Sequence, residues 1–287
     1  MITIKKITSL DIKELFPFTK LKESELQHFF EPNGGIFIAE SPKVIDRALN
    51  YGCVPISVLI DEKCLEEHES SDILNRLDEL EVDVTIYVSE TAILQTISGF
   101  NLTRGMLCAM HRPQLSTIDQ ITYNTKRIAI LENVVNPTNI GAIFRSAAAF
   151  NIDAVLLTQS CCDPLSRRSI RVSMGNVFQI PWTYISESNG NTSKLPLDTM
   201  EKLRNDGFKF ASLALKKDSI TLDDECLKKE KKLAIILGNE GHGLCDETIK
   251  HSDYTVIIPM SHNVDSLNVA AASAVAFWEL TQKSKWR

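Results

Sequence analysis

No apolar run in this 287-residue chain approaches the ~20 residues needed to span a bilayer. The first ten residues carry Lys5 and Lys6 but no apolar stretch of the kind that directs secretion, so a cytoplasmic protein is expected. There is no Cys-x-x-Cys pair among the 7 cysteines (Cys53, Cys64, Cys108, Cys161, Cys162, Cys226 and Cys245), and their odd number argues against a disulfide framework. Adjacent Cys161 and Cys162 cannot both ligate one structural zinc in the usual spacing, so no metal is expected. Positive charge is not in excess either. The net charge of −6 argues against whole-molecule attraction to nucleic acid. Membrane, secreted, collagenous and disordered classes are all set aside by a composition with 44% hydrophobic and 24% charged residues.

What is present is uneven. Residues 1–113 carry 11 Lys and Arg against 18 Asp and Glu, whereas residues 114–287 carry 20 against 19. A nucleic-acid partner would need a local basic patch, and the C-terminal part is the better place for one. The length suits two domains. Ile36–Ala39 reads as a strand, followed by Ser41-Pro42 as N-cap and first helical residue, and Gly52 stops that helix. Strands at Val54–Ile60, Val82–Val88 and Met106–Met110, with helices at Ser71–Leu80 and Ser89–Ile97, complete a small α/β domain over residues 1–113. Polar residues 114–125 read as a linker.

From Arg127 the alternation restarts. Strands are expected at Ile128–Leu131, Ala154–Leu157, near Phe178–Trp182, and at Lys209–Leu213, Leu233–Leu237 and Tyr254–Ile258. Helices are expected at Asn139–Phe150, Leu165–Ser173, Asp198–Asp206 and Ser266–Leu280, the last capped by Ser266 or Asp265. Such alternation means a mostly parallel sheet with helices on both faces, here over residues 126–287. The final helix is apolar almost all round and should be buried in a core or against another subunit. The charge run Asp223–Lys232 reads as solvated.

Four segments could carry chemistry. Asn136-Pro-Thr-Asn-Ile-Gly-Ala-Ile-Phe-Arg145-Ser146 follows a strand and opens a helix, where free N–H groups await an anion. Leu237-Gly-Asn-Glu-Gly-His-Gly243 follows an apolar strand, but its glycine spacing is neither that of a phosphate-binding P-loop nor Gly-x-Gly-x-x-Gly, which counts against a nicotinamide oxidoreductase. Ile258-Pro-Met leads through an irregular loop to Ser266-Leu-Asn268-Val. Arg167, Arg168 and Arg171 supply the local basic patch, with Arg168 and Arg171 on one helix face.

In this order the segments resemble the SpoU (TrmH-like) branch of the SPOUT RNA methyltransferases. Asn136, Asn139, Gly141 and Arg145 match its first motif, Gly238, Glu240, Gly241, Gly243 and Leu244 its second, and Ile258–Met260 with Ser266–Val269 its third. Residues 1–113 look like the ribosomal-protein-like RNA-binding domain that often precedes this catalytic domain, with Ser41 where the family more often has Gly. Ser146 stands where Thr is frequent, and His262-Asn263 where a Gly is common.

The resemblance implies a SPOUT-type fold with a C-terminal trefoil knot, a homodimer, and S-adenosylmethionine as methyl donor. It implies methylation of a ribose 2′-hydroxyl, with 23S ribosomal RNA favoured by the extra N-terminal domain. Alternatives are a tRNA 2′-O-methyltransferase or a non-catalytic RNA-binding protein on the same scaffold. Catalytic roles would fall to Arg145, Asn139, Glu240, Ser266 and Asn268. Leu237, Gly238, Asn239, Gly241, Ile258, Met260, Leu267 and Asn268 would meet the methyl donor. Arg167, Arg168, Arg171, Lys43 and Arg47 would meet RNA. The family's arginine is described as a general base. A guanidinium rarely gives up its proton, so Arg145 is better read as a permanent cation that stabilises alkoxide character.

Overall fold

A computed structural model describes residues 1–31, 34–97, 105–185, 192–262 and 264–281, so Asn263 lies outside the described residues. The chain divides into two units, Met1–Gln114 with Leu165–Gln179, and Leu115–Pro164 with Ile180–Arg287. The sequence reading keeps 165–179 with the second.

The first unit holds a five-stranded sheet of β1 (Ile2–Lys6), β2 (Ile36–Glu40), β3 (Pro55–Asp61), β4 (Val84–Ser89) and β5 (Met106–His111), in the order β1-β4-β3-β5-β2. Strands β1, β4 and β3 run parallel, while β5 is antiparallel to both β3 and β2. The sequence reading contains no β1. Its residues alternate Ile with Lys and Thr, and all but Ile2 are exposed, so they lack the apolar run that announces the other strands.

The helices are α1 (Phe16–Thr19), α2 (Glu23–Gln27), α3 (Pro42–Tyr51), α4 (His68–Glu79) and α5 (Thr91–Leu94), together with Arg167–Ser173 from the excursion. Helix α3 starts at Pro42 and stops at left-handed Gly52, as expected. Ser41, however, does not cap it through its side chain. It sits at φ 84°, ψ 150°, and its buried hydroxyl has no partner among the described residues. That backbone conformation belongs to glycine. Helix α5 is shorter than the expected 89–97.

The second unit opens within the expected linker, where Thr117 and Gln120 form a reciprocal capping box on α6 (Ile118–Thr122). Its sheet has seven strands, β6 (Arg127–Leu131), β7 (Ala154–Leu157), β8 (Trp182–Tyr184), β9 (Lys209–Leu213), β10 (Ile220–Thr221), β11 (Leu233–Leu237) and β12 (Tyr254–Ile257). Their order is β10-β12-β9-β11-β6-β7-β8, and every pairing is parallel. β8 begins at Trp182, because 176–178 turns as a short 3-10 helix instead of extending. β6 and β11 are buried at every position, which is why both read as continuous apolar runs.

The remaining helices are α7 (Pro137–Ala149), α8 (the Arg167–Ser173 helix above), α9 (Leu197–Asn205), α10 (Glu225–Lys229), α11 (Asp246–Lys250) and α12 (Val269–Leu280). Ile140, Ile143, Phe144 and Ala147 give α7 a buried stripe at helical spacing, and it packs against α12. The charge run holds α10, which is helical and whose Leu227 is buried. α12 buries Val269, Ser273, Ala276, Phe277 and Leu280 but leaves Val275 and Trp278 over 40% exposed. Its cap is Asn268, whose Oδ1 accepts from the Ala270 amide, not Ser266 or Asp265. At its far end the buried Arg127 donates through Nε to the Leu280 carbonyl at 2.8 Å.

Candidate active site

In a parallel α/β sheet, crevices open at the carboxyl ends of strands where chain order reverses. β6 has β7 on one side and β11 on the other, and the loops after β6 and β11 carry the first two motifs. Asn136 caps α7 by accepting from the Thr138 amide at 2.8 Å, with Pro137 at the first helical position. That start places Asn139 in the first turn, with only 6% of its surface exposed.

Three predicted residues converge there. The Asn139 amide nitrogen donates to the Glu240 carboxylate. Its carbonyl oxygen accepts from the Asn268 amide nitrogen at 3.1 Å. Both ends of the Asn139 side chain are thereby fixed, and segments distant in sequence meet through one amide. Arg145 lies further along α7, exposed, and makes no hydrogen bond or ion pair among the described residues. Ser266 is exposed on the loop before α12 and lines the cavity described below.

The glycine loop is built tightly. Asn239 and Gly243 pair across it through two backbone hydrogen bonds of 3.2 and 2.9 Å. A Cβ on Gly238 would stand 2.5 Å from the Gly243 carbonyl carbon, which explains a glycine at that place. The Asn239 side chain is occupied within the protein. It donates to the Asn133 carbonyl at 2.9 Å and accepts from the amides of Gly241 and His242. Thr158 supports the other flank by accepting from the Asn133 amide at 2.9 Å. Nearby Cys161 accepts from the Val134 amide, and burial raises its thiol pKa.

A cavity of about 140 Å³ lies at the carboxyl ends of β9 and β12, lined mainly by apolar side chains. Ile258, Met260, Ser266 and Leu267 from the predicted set line it. Leu237, Gly238, Asn239, Gly241 and Asn268 are not among its lining residues. Among the lining residues that sequence reasoning missed are Leu213, Ala214 and Leu215 at and beyond the end of β9 and Val256 and Ile257 of β12; the end of a parallel strand was the available signal. It also missed Glu132, a carboxylate directly after the wholly buried strand β6. Among the described residues no group of three or more His, Cys, Asp or Glu could hold a metal ion.

The five basic residues expected to meet RNA belong to the first unit. Arg47, Arg167 and Arg171 have acceptors within it. Arg47 donates to the Met174 carbonyl and the Asn176 side chain. Arg167 donates to Glu40 at 3.1 Å and to the Phe18 carbonyl at 3.3 Å. Burial raises the Glu40 pKa, against the pull of Arg167 and Arg171. Lys43, Arg168 and Arg171 are exposed, Arg171 lying 3.8 Å from Glu40.

Residues 126–278 match the model of the SpoU rRNA Methylase family. A Mycobacterium bovis protein described as an uncharacterized tRNA/rRNA methyltransferase is 32% identical over 253 residues, 88% of this chain and 83% of its own length. The chain belongs to the SpoU rRNA methylase family. Another relative, the Bacillus subtilis 23S rRNA (guanosine(2553)-2′-O)-methyltransferase RlmP, is 25% identical, covering 85% of this chain and 88% of its own. The fold is that of an AdoMet-bound rRNA methyltransferase from Sinorhizobium meliloti, with a TM-score of 0.75, 22% identity, and coverage of 96% and 97%. In this SpoU-family RNA methyltransferase, three of the five residues expected to be catalytic, Asn139, Glu240 and Asn268, are hydrogen-bonded together.

Proposed function

We propose that this protein transfers a methyl group from S-adenosylmethionine to a ribose 2′-hydroxyl of 23S ribosomal RNA. The observation that carries the reading is the Glu240–Asn139–Asn268 hydrogen-bonded set, whose central Asn139 lies on the helix that also presents the exposed Arg145. The residues present fit the methyl donor. An apolar cavity bounded by Leu213, Val256, Ile258, Met260 and Leu267 suits the flat base of the donor, with the Ser266 hydroxyl and the Asp265 carboxylate as polar partners. When bound, the donor supplies an activated methyl on a sulfonium, so the protein need not form a covalent intermediate. Its task is to orient a very weakly acidic hydroxyl and to stabilise negative charge as it develops on that oxygen.

Asn139, locked at both ends, is the fixed polar edge against which a ribose can be set. Arg145 supplies the positive charge, and its planar fork also suits a phosphate oxygen of the target. Lys43, Arg168 and Arg171 of the first unit would contact the RNA backbone. In this reading the chain after β11 forms the family's knot, and a second copy covers Val275 and Trp278 of α12, so the protein elutes as a dimer.

The test maps 2′-O-methyl sites by resistance to alkaline cleavage, in total RNA from a strain lacking the protein and in that RNA after treatment with purified protein and donor. One site lost from 23S rRNA and restored in vitro is expected. A site in transfer RNA instead, or none at all, would overturn the reading. Arg145→Lys keeps the charge but loses the fork and should lower turnover by about 10²-fold. Full turnover by that variant would remove fork geometry from the account.

A further inference from the structure

We propose that Glu132 is a positioning residue for methyl transfer, holding the loop that carries Glu240 in register with the helix that carries Asn139. The inference rests on the reaction proposed above. Glu132 is the first residue after β6, and only 2% of its surface is exposed. It grips the glycine loop at both ends. Its amide donates to the Leu237 carbonyl at 2.9 Å, where the loop begins. Its Oε1 accepts from the Cys245 amide at 2.6 Å, where the loop ends. Its Oε2 accepts from the Thr248 hydroxyl and from the Leu195 amide at 3.2 Å. The next residue adds a third attachment, since the Asn133 carbonyl receives the Asn239 side chain.

A carboxylate is costly to bury, and here three donors replace its water. An apolar side chain would fill the same space more cheaply but could not tie Cys245, Thr248 and Leu195 to the end of β6. The consequence reaches the site through a short path. Fixing Leu237, Asn239 and Cys245 fixes Glu240 between them, and Glu240 receives the Asn139 amide whose other end is held by Asn268. Glu132 touches none of the reacting groups itself.

Glu132→Gln preserves size and tests the acceptor. The Thr248 hydroxyl can turn to accept from the new amide, but one oxygen is left for two backbone donors, so the Cys245 amide either loses its acceptor to Leu195 or keeps only the weaker hydrogen bond of a neutral one. Two measurements are made on the full chain. Hydrogen exchange of residues 239–245 should quicken about tenfold or more in the variant, while β6 and β11 exchange as before. At saturating RNA and methyl donor, turnover per folded molecule should fall about 10-fold to 100-fold, with RNA affinity within twofold.

Leu227→Ala, which opens a cavity at the one buried side chain of α10, serves as a stability control and should keep full turnover below its melting temperature. Unchanged loop exchange in Glu132→Gln, undiminished turnover, or an equal loss in the control would overturn the proposal. Failure of the wild-type chain to methylate any RNA would instead count against the reaction, and the exchange result would still decide whether Glu132 holds the loop.

Discussion

Replacing Gly238 by alanine is the sharpest probe of the glycine loop. The added Cβ would lie 2.5 Å from the Gly243 carbonyl carbon, 2.7 Å from its oxygen and 2.7 Å from the Leu244 nitrogen. All three are backbone atoms, so no side chain can swing aside. Restoring an ordinary contact of about 3.4 Å requires the far strand of the loop to retreat by roughly 0.9 Å. That motion stretches both hydrogen bonds between Asn239 and Gly243, each worth about 1 kcal/mol. With the strain of overpacking, the expected loss is about 1–3 kcal/mol, since a surface loop can yield locally. The larger effect should be on rate. Glu240 rides on this loop, and a displacement near 1 Å costs turnover about 10²-fold. Labelled-methyl incorporation at saturating substrates, with a thermal melt on the same sample, measures both. Gly241→Ala is the internal control, because its Cβ would meet only the Asn239 side chain, at 3.3 Å, and turnover should stay within about threefold. If Gly238→Ala also turned over within threefold of wild type, the loop's tight closure would have no part in catalysis.

Two further predictions concern stability. Arg127 is buried and donates to the carbonyls of Leu280, Lys126, Lys231, Glu230 and Lys228, while burial lowers its pKa against the pull of Asp153 and Glu230. Arg127→Met strands those carbonyls and should cost about 3–5 kcal/mol, seen as a lower urea midpoint; an unmoved midpoint would refute the argument. Ser41→Gly should raise stability by about 1 kcal/mol, by relieving a left-handed backbone and removing a buried hydroxyl without a partner, and a lower melting temperature would contradict it.

Most of the second unit was legible because its central strands are apolar from end to end and its helices carry clear starts. Asn136-Pro137 and the stripe from Ile140 to Ala147 define α7 without any tertiary information. β1 was illegible for the opposite reason, since an exposed strand at a sheet edge needs no apolar run. The two departures from glycine noted in the sequence gain a physical meaning. Ser41 has φ 84° and His262 has φ 59°, so both occupy backbone that glycine adopts without strain. The motifs named Asn139, Glu240 and Asn268, but only the fold shows that one side chain joins the other two. Glu132 escaped because its partners are backbone amides and a hydroxyl far along the chain, which no spacing rule reveals. For a similar reason the sequence does not show that Arg167 and Arg47 hold internal acceptors.

The discontinuity of the first unit bears on how the protein is made. Its sheet is synthesised by residue 114, yet the helix whose Arg167 reaches Glu40 and Phe18 emerges much later. A nascent chain therefore cannot finish its leading half before translation is well into the trailing one, so the usual order of domain-by-domain maturation does not apply. Cutting the gene at the apparent junction would yield two pieces, one deprived of a wall and the other left holding it.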